Sequence, residues 1–195
     1  MTRIIAGSAG GRRLEAPRGD ATRPTSDRVR EALFSAVEAW AGSWEGLRVL
    51  DLYAGTGAVG LEAVSRGAAG AVLVERDRAT AALIGRNART LGFDQVRVVT
   101  SSVASFLDDS RSTPHDLVFL DPPYPVSDDR VVADLTRLVA RGWLADDALV
   151  VVERSRRSGA PTWPAGIEAG RQRKYGETLL AYGHATSEAT AATRE

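Results

Sequence analysis

Four consecutive residues, Asp121-Pro122-Pro123-Tyr124, follow directly on the apolar run Leu117-Val118-Phe119-Leu120. Two successive prolines lock φ and remove two N–H donors, so the carbonyls here stay out of a helix and in fixed positions. The Asp121 carboxylate and the Pro122 carbonyl are then two acceptors at one strand tip, with the flat ring of Tyr124 beside them. That set suits the exocyclic amine of a nucleic-acid base. Such a nitrogen is a poor nucleophile because its lone pair is delocalised into the ring. Two acceptors gripping its two N–H groups would pull it towards tetrahedral geometry and stabilise the positive charge that grows as it attacks. Stacking on Tyr124 would hold the base, worth about 1–3 kcal/mol. In-line displacement at an activated methyl group then needs positioning and no enzyme nucleophile.

A second cluster reads Asp51-Leu52-Tyr53-Ala54-Gly55-Thr56-Gly57-Ala58-Val59-Gly60. Gly55 and Gly57 allow a tight turn and close approach of a ligand to the backbone. The helix expected after them offers free N–H groups. Glu75, 18 residues after Gly57, ends the next apolar run and suits the two hydroxyls of a ribose. The glycine spacing also fits a nicotinamide dinucleotide, and the loop alone leaves that open. Asp51 favours the other choice. It would repel a pyrophosphate but suit an ammonium or sulfonium, and S-adenosylmethionine carries both cations and no phosphate.

The elements that must position these residues follow from periodicity. Apolar residues at helical spacing after Ser26, a capping residue, predict a helix over 27–40. From Leu47 onward, short Val- and Leu-rich runs predict strands at 47–53, 70–75, 95–99, 116–121 and 147–153. Helices are expected between them at 58–66, 78–91, 101–108 and 128–141. Strands alternating with helices imply a parallel α/β sheet covered on both faces. Residues 167–175 and 177–183 predict a terminal strand pair that adds an antiparallel edge. At the other end, Ile4-Ile5-Ala6 and Arg12-Arg13-Leu14-Glu15 flank the glycine-rich stretch Gly7–Gly11 and predict a small hairpin. The expected organisation is a hairpin-and-loop extension over 1–25, one catalytic domain over 26–184 and a disordered tail over 185–195.

Composition narrows the chemistry. The chain has no cysteine and two histidines, which excludes disulfides, thiolate metal sites and a cysteine adduct to cytosine C5. No metal is expected. No apolar run is long enough to span a bilayer, and a cytoplasmic, membrane-free monomer is the expectation. The net charge is zero, yet residues 1–30 hold seven Arg against three acids, and 154–174 hold six cations against Glu168. Two basic zones on a neutral chain suggest a polyanion-binding face.

These motifs together resemble the class I methyltransferases, and more narrowly the bacterial 16S ribosomal RNA guanine-N2 methyltransferases. Arg3-Ile4-Ile5-Ala6-Gly7, Arg23–Phe34, Asp51–Gly57, Asp121–Tyr124 and Val150–Glu153 carry that resemblance, in order. It implies a Rossmann-like, doubly wound, mostly parallel seven-stranded sheet with an antiparallel edge strand and a small N-terminal extension. It implies methylation of the guanine usually numbered 966, in 16S ribosomal RNA of an assembled or assembling 30S subunit. S-adenosylmethionine would be held by Asp51, Gly55, Gly57 and Glu75, with Ala54, Thr56, Gly60 and Arg76 beside them and Ser102 and Val103 flanking the adenine. Asp121, Pro122, Pro123 and Tyr124 would hold the guanine. Arg23, Thr25 and Arg28 would lie near cofactor and target, and Arg12, Arg13 and Arg30 join Arg23 and Arg28 as candidate phosphate contacts. Members of the family often carry a basic–aromatic pair in the first turn, where this chain has Ser8-Ala9. A guanine N2 lies on the pairing edge, so the target must be unpaired or flipped. A DNA amino-methyltransferase for adenine N6 or cytosine N4 would use the same pocket chemistry, although the chain has no room for a large target-recognition region. A nonenzymatic RNA-binding factor of the same fold is disfavoured by the intact Asp51, Glu75 and Asp121–Tyr124.

Overall fold

The computed structural model describes residues 2–16, 27–109, 113–123 and 126–186. Contacts divide the chain into two compact units, Met1–Ser101 and Ser102–Glu195. The expected boundary at 25/26 and the tail beyond 186 fall outside the described residues, as do Arg23, Thr25 and Tyr124.

The first unit holds α1 (Asp27–Ala41), β1 (Arg48–Leu52), α2 (Ala58–Ser65), β2 (Gly70–Glu75), α3 (Arg78–Leu91) and β3 (Val96–Thr100). Its strands run parallel in the order β3-β2-β1, with Asp51 opposite Leu73 and Glu75 opposite Thr100. Val49, Leu50 and Leu52 are fully buried, as expected of a parallel strand covered on both faces. Helix α1 buries Val29, Leu33, Phe34 and Val37 on one stripe. Asp77 caps α3 by accepting the Thr80 N–H, and Gly92 closes that helix in the left-handed conformation.

The N-terminal residues form the expected small hairpin: the Ile4 N–H donates to the Arg12 carbonyl at 2.9 Å, the Gly11 N–H to the Ile4 carbonyl at 2.8 Å and the Leu14 N–H to the Thr2 carbonyl at 3.0 Å, around an antiparallel bridge between Arg3 and Arg13. Side chains of α2 and α3 bind its remaining backbone groups. The buried Glu62 of α2 accepts the Ile5 N–H at 2.6 Å and the Ala6 N–H at 2.9 Å. Asn87 of α3 mimics a strand, accepting the Glu15 N–H at 2.9 Å and donating to the Glu15 carbonyl at 3.0 Å. Gly7 must be glycine: a Cβ there would lie 1.9 Å from the Ser65 carbonyl oxygen.

The second unit holds α4 (Val103–Leu107), β4 (His115–Leu120), α5 (Asp128–Ala140), β5 (Leu144–Ser155), β6 (Ile167–Tyr175) and β7 (Thr178–Ala185). Here the order is β4-β5-β7-β6, with β4 and β5 parallel and β7 antiparallel to both neighbours. The seven-stranded, mostly parallel sheet is therefore as expected, and β7 is its reversed strand. Strand β5 begins three residues earlier than the apolar run suggested, because Leu144 pairs with His115 ahead of a register shift.

Candidate active site

Each element of the cofactor loop is placed by backbone bonds in the first unit. Strand β1 ends at Leu52, and Tyr53 enters the left-handed region at φ 62°. A non-glycine residue there costs about 1–2 kcal/mol, offset here by the bonds that follow. The Ala54 N–H donates to the Val74 carbonyl at 3.0 Å, and the Gly57 N–H to the Ala54 carbonyl at 2.7 Å.

Asp51 and Glu75 are both engaged with the loop. Asp51 is 2% exposed, and its Oδ2 accepts the Gly60 N–H at 2.9 Å. Helix α2 has no side-chain cap from Gly57, so Asp51 satisfies one of its first-turn donors from the preceding strand. Glu75 bridges two turns: Oε2 accepts the Gly55 N–H at 3.0 Å and Oε1 the Asp77 N–H at 2.8 Å. A carboxylate has further lone pairs on both oxygens, so Glu75 holds the loop and keeps acceptor capacity for a ligand.

The three glycines differ. A Cβ on Gly57 would sit 2.8 Å from Ile84 Cγ2, and one on Gly60 2.7 Å from Leu73 Cδ1. Those two let α2 lie close to β2 and α3. A Cβ on Gly55 would meet nothing nearer than the Tyr53 carbonyl at 3.9 Å. Gly55, with Thr56 half-buried beside it, therefore borders open space. Gly60 serves the packing of α2 on Leu73 and donates its N–H to Asp51. Arg76 is exposed beside Glu75.

In the second unit, Ser102 caps α4 by accepting the Ser105 N–H, and Val103 is 5% exposed. Strand β4 is buried from Leu117 to Leu120 and opens at Asp121, which is half-buried, with Pro122 buried and Pro123 exposed. The Pro123 carbonyl accepts the Val126 N–H at 2.9 Å. Ser127 then caps α5 through the Arg130 N–H.

Arg154 belongs to the basic zone in sequence, yet it is 8% exposed on β5. Its guanidinium pairs with Asp128 and donates to the Val126 carbonyl at 3.4 Å, tying the start of α5 to β5. The acidic first turn of α5, Asp128-Asp129, was the available signal for such a partner.

The expected phosphate contacts divide. Arg12, Arg13 and Arg28 are exposed, and Arg12 donates to the Thr90 carbonyl at 2.9 Å. Arg30 is not a surface cation: it is 1% exposed, donating to Asp27 at 2.6 Å and to the Arg3 carbonyl at 2.9 Å. Burial on the apolar stripe of α1 withdraws it from phosphate. Its hydrogen bond, helped by the charges of Arg30 and Arg3, holds the Asp27 carboxyl below its ordinary value. In the first turn, Ser8 donates to the Ser65 carbonyl and Ala9 is buried against α2, so the turn docks on the protein.

Among the described residues no group of three His, Asp or Glu side chains could hold a metal ion, and no helix is long and apolar enough to cross a membrane. The loop does fit an adenosyl ligand with a cationic tail: open space at Gly55, the Asp51 carboxylate before the loop and spare acceptor capacity on Glu75.

The chain is 43% identical, over 90% of its length and 85% of the relative's, to "Ribosomal RNA small subunit methyltransferase D" of Escherichia coli K12. The solved structure of yhhF from Escherichia coli is 39% identical, with a TM-score of 0.85 over 95% of this chain and 98% of that one. A methyltransferase from Geobacter sulfurreducens, only 15% identical, shares the fold at a TM-score of 0.65 over 84% of this chain and 80% of that one. Residues 2–184 match the family model described as "Conserved hypothetical protein 95", and the chain belongs to that family, on the class I methyltransferase fold.

Proposed function

We propose that this protein transfers a methyl group from S-adenosylmethionine to the N2 amine of one guanine in small-subunit ribosomal RNA, the guanine numbered 966. The observation that carries the reading is the Asp121-Pro122-Pro123 tip of buried β4, in a chain 43% identical to a protein named as a ribosomal RNA small subunit methyltransferase.

When bound, S-adenosylmethionine supplies an electrophilic methyl carbon on a sulfonium. Gly55 and Thr56 admit the ligand, Glu75 accepts from the ribose hydroxyls, and Ser102 and Val103 flank the adenine. Asp51 holds α2 through the Gly60 N–H, and its charge would favour a cationic tail. At the target, Asp121 and the Pro122 carbonyl accept the two N–H groups of guanine N2, and Tyr124 stacks on the base. The nitrogen lone pair would take the methyl carbon as the sulfonium leaves, and Asp121 would accept the proton the nitrogen then sheds. Arg154 keeps the segment after Pro123 in place while this happens. Arg12, Arg13, Arg23, Thr25 and Arg28 contribute to holding the RNA. The same reading takes an assembled or assembling 30S subunit as substrate and a monomeric enzyme.

Transfer of labelled methyl from S-adenosylmethionine to naked small-subunit RNA and to assembled subunits, followed by nucleoside analysis and site mapping, tests the reading. N2-methylguanine at a single position is expected. N6-methyladenine, or greater activity on duplex DNA than on either RNA substrate, would reject it.

A further inference from the structure

The rim at which β4 ends carries a group of cations that neither the target grip nor the cofactor loop uses. Leu120 pairs with Val152, and β5 runs on to Ser155. Ser155 and Tyr175 both pair with Thr178, the first residue of β7. The Arg156 N–H then donates to the Glu177 carbonyl at 2.8 Å. Asp121, the residues after β5 and the β6–β7 turn therefore lie on one rim of the second unit. Three strand spacings separate β4 from β6, about 14 Å.

Arg156, Arg157, Arg171, Arg173 and Lys174 are all exposed on this part of the unit, and Glu168 and Glu177 are the acids between 156 and 178. None of the five cations forms an ion pair among the described residues. Strand β6 is exposed at every residue from Glu168 to Lys174, so neither of its faces is covered. Arg173 lies opposite Leu180 and Lys174 opposite Leu179, which puts them on opposite faces of the hairpin. Arg171 sits over the Tyr182 ring at 5.0 Å, on the Leu180 face with Arg173.

A few charges on an edge strand guard against edge-to-edge pairing. That role does not call for cations on both faces, nor for two more outside the strand on the same rim as Asp121. We propose that this rim, from Arg156 and Arg157 to the β6 edge, is a docking track for the phosphates of the RNA strand that bears the target base. The proposal rests on the RNA-methylating reading and extends it. The strand enters the grip at Asp121 and its neighbouring phosphates lie along β5 and β6. Backbone phosphates are read here by charge alone, so the track supplies affinity and orientation and no base choice.

Salt-dependent binding of a fluorescein-labelled small-subunit RNA fragment tests it, using Arg173→Gln with Lys174→Gln as one pair and Arg156→Gln with Arg157→Gln as another. Each pair should make the slope of log affinity against log salt shallower by about 1.4, at roughly 0.7 per phosphate of single-stranded RNA. Arg97→Gln on β3 is the control and should leave the slope alone. Calorimetric affinity for S-adenosylmethionine, expected to be unchanged, verifies the fold of each variant, and the Arg156/Arg157 pair lies outside any strand should the edge variant fail that check. Unchanged slopes in a folded pair, an equal loss per charge at Arg97, or wild-type binding without salt dependence would overturn the track. So would an edge variant that self-associates while binding RNA as before, because β6 would then be only a guarded edge. Methyl transfer by the wild type is scored separately: shallower slopes without transfer to guanine would sink the functional reading and leave the track, and the reverse result would do the opposite.

Discussion

Asp121 and Glu75 are both carboxylates at strand ends, yet their surroundings assign them different losses on substitution. Asp121 follows a buried strand and opens half-exposed beyond it, so under the proposed reaction Asp121→Ala removes an acceptor that matters when charge grows on the attacking nitrogen. Its turnover should fall by about 10²–10³-fold, with cofactor affinity little changed; single-turnover kinetics beside calorimetry separates the two. Glu75→Ala should weaken cofactor binding by on the order of tenfold or more, as charge-assisted hydrogen bonds are lost. Some of that loss comes through Gly55 and Asp77, whose N–H groups Glu75 also holds. The glycines separate in the same way. Gly60→Ala should destabilise the fold by about 1–3 kcal/mol through overpacking on Leu73. Gly55→Ala meets no neighbour, so its effect should be a left-handed backbone penalty of about 1–2 kcal/mol together with weakened cofactor binding. Denaturant unfolding and calorimetry on both variants decide whether the division holds. The glycine pattern was plain in the sequence, but which glycines pack against the protein and which border open space was not, because that depends on where Leu73 and Ile84 lie.

Helices and strands were legible nearly to the residue from β1 to β5, because Val- and Leu-rich runs alternate there with capped amphipathic segments. Asp77, Ser102 and Ser127 all cap the helices they precede. The N-terminal hairpin was legible from its turn residues, and its strands do bond to each other. Its anchoring was not legible: its remaining backbone groups find partners in Glu62, Ser65 and Asn87 on α2 and α3. Those side chains are more than fifty residues away in sequence, and no local pattern announces them. Glu62 ties together the largest part of this arrangement. It also receives Arg66 Nε at 2.9 Å, and Arg66 reaches on to Glu38 at 2.7 Å and lies 4.7 Å over the Phe34 ring. Glu62→Ala would leave the Ile5 and Ala6 donors and the Arg66 charge without their buried acceptor. A loss of about 3–5 kcal/mol is expected from breaking a buried charged contact. Hydrogen exchange at Ile5 and Ala6 should accelerate ahead of exchange in β1. Uniform acceleration across both segments would show that the N-terminal residues are not held by Glu62 as a local latch.

Across the whole molecule, pH acts through Asp27 and Tyr182 in opposite directions. Asp27 is held below its ordinary value, so its contribution is present above the unfolded carboxyl pKa and is lost as pH falls through the lower folded one. Burial raises the Tyr182 phenol to about 12, with the neighbouring Tyr175 adding to the shift. Its hydroxyl finds no hydrogen-bond partner among the described residues. The folded pKa lies above the unfolded one, so stability present below pH 10 is lost as pH rises towards 12. Tyr182→Phe should be neutral or slightly stabilising near neutral pH. Above pH 10 it should gain on the wild type by on the order of 2–3 kcal/mol. Unfolding free energies of the two proteins across that range check the sign; parallel curves would show that the phenol is not buried as described. What the sequence determined by itself was the alternation of strands and helices, the identity of the loop carboxylates and the Asp-Pro-Pro tip after β4, because each is written in local periodicity, capping residues and proline chemistry. What only the tertiary structure decided was which charges are available. Arg30 and Arg154 read as surface cations and are buried in ion pairs, whereas Arg156, Arg157, Arg173 and Lys174 stand exposed at one rim. Charge is a property of the residue, but exposure depends on strand register and on which distant carboxylate the fold brings within reach.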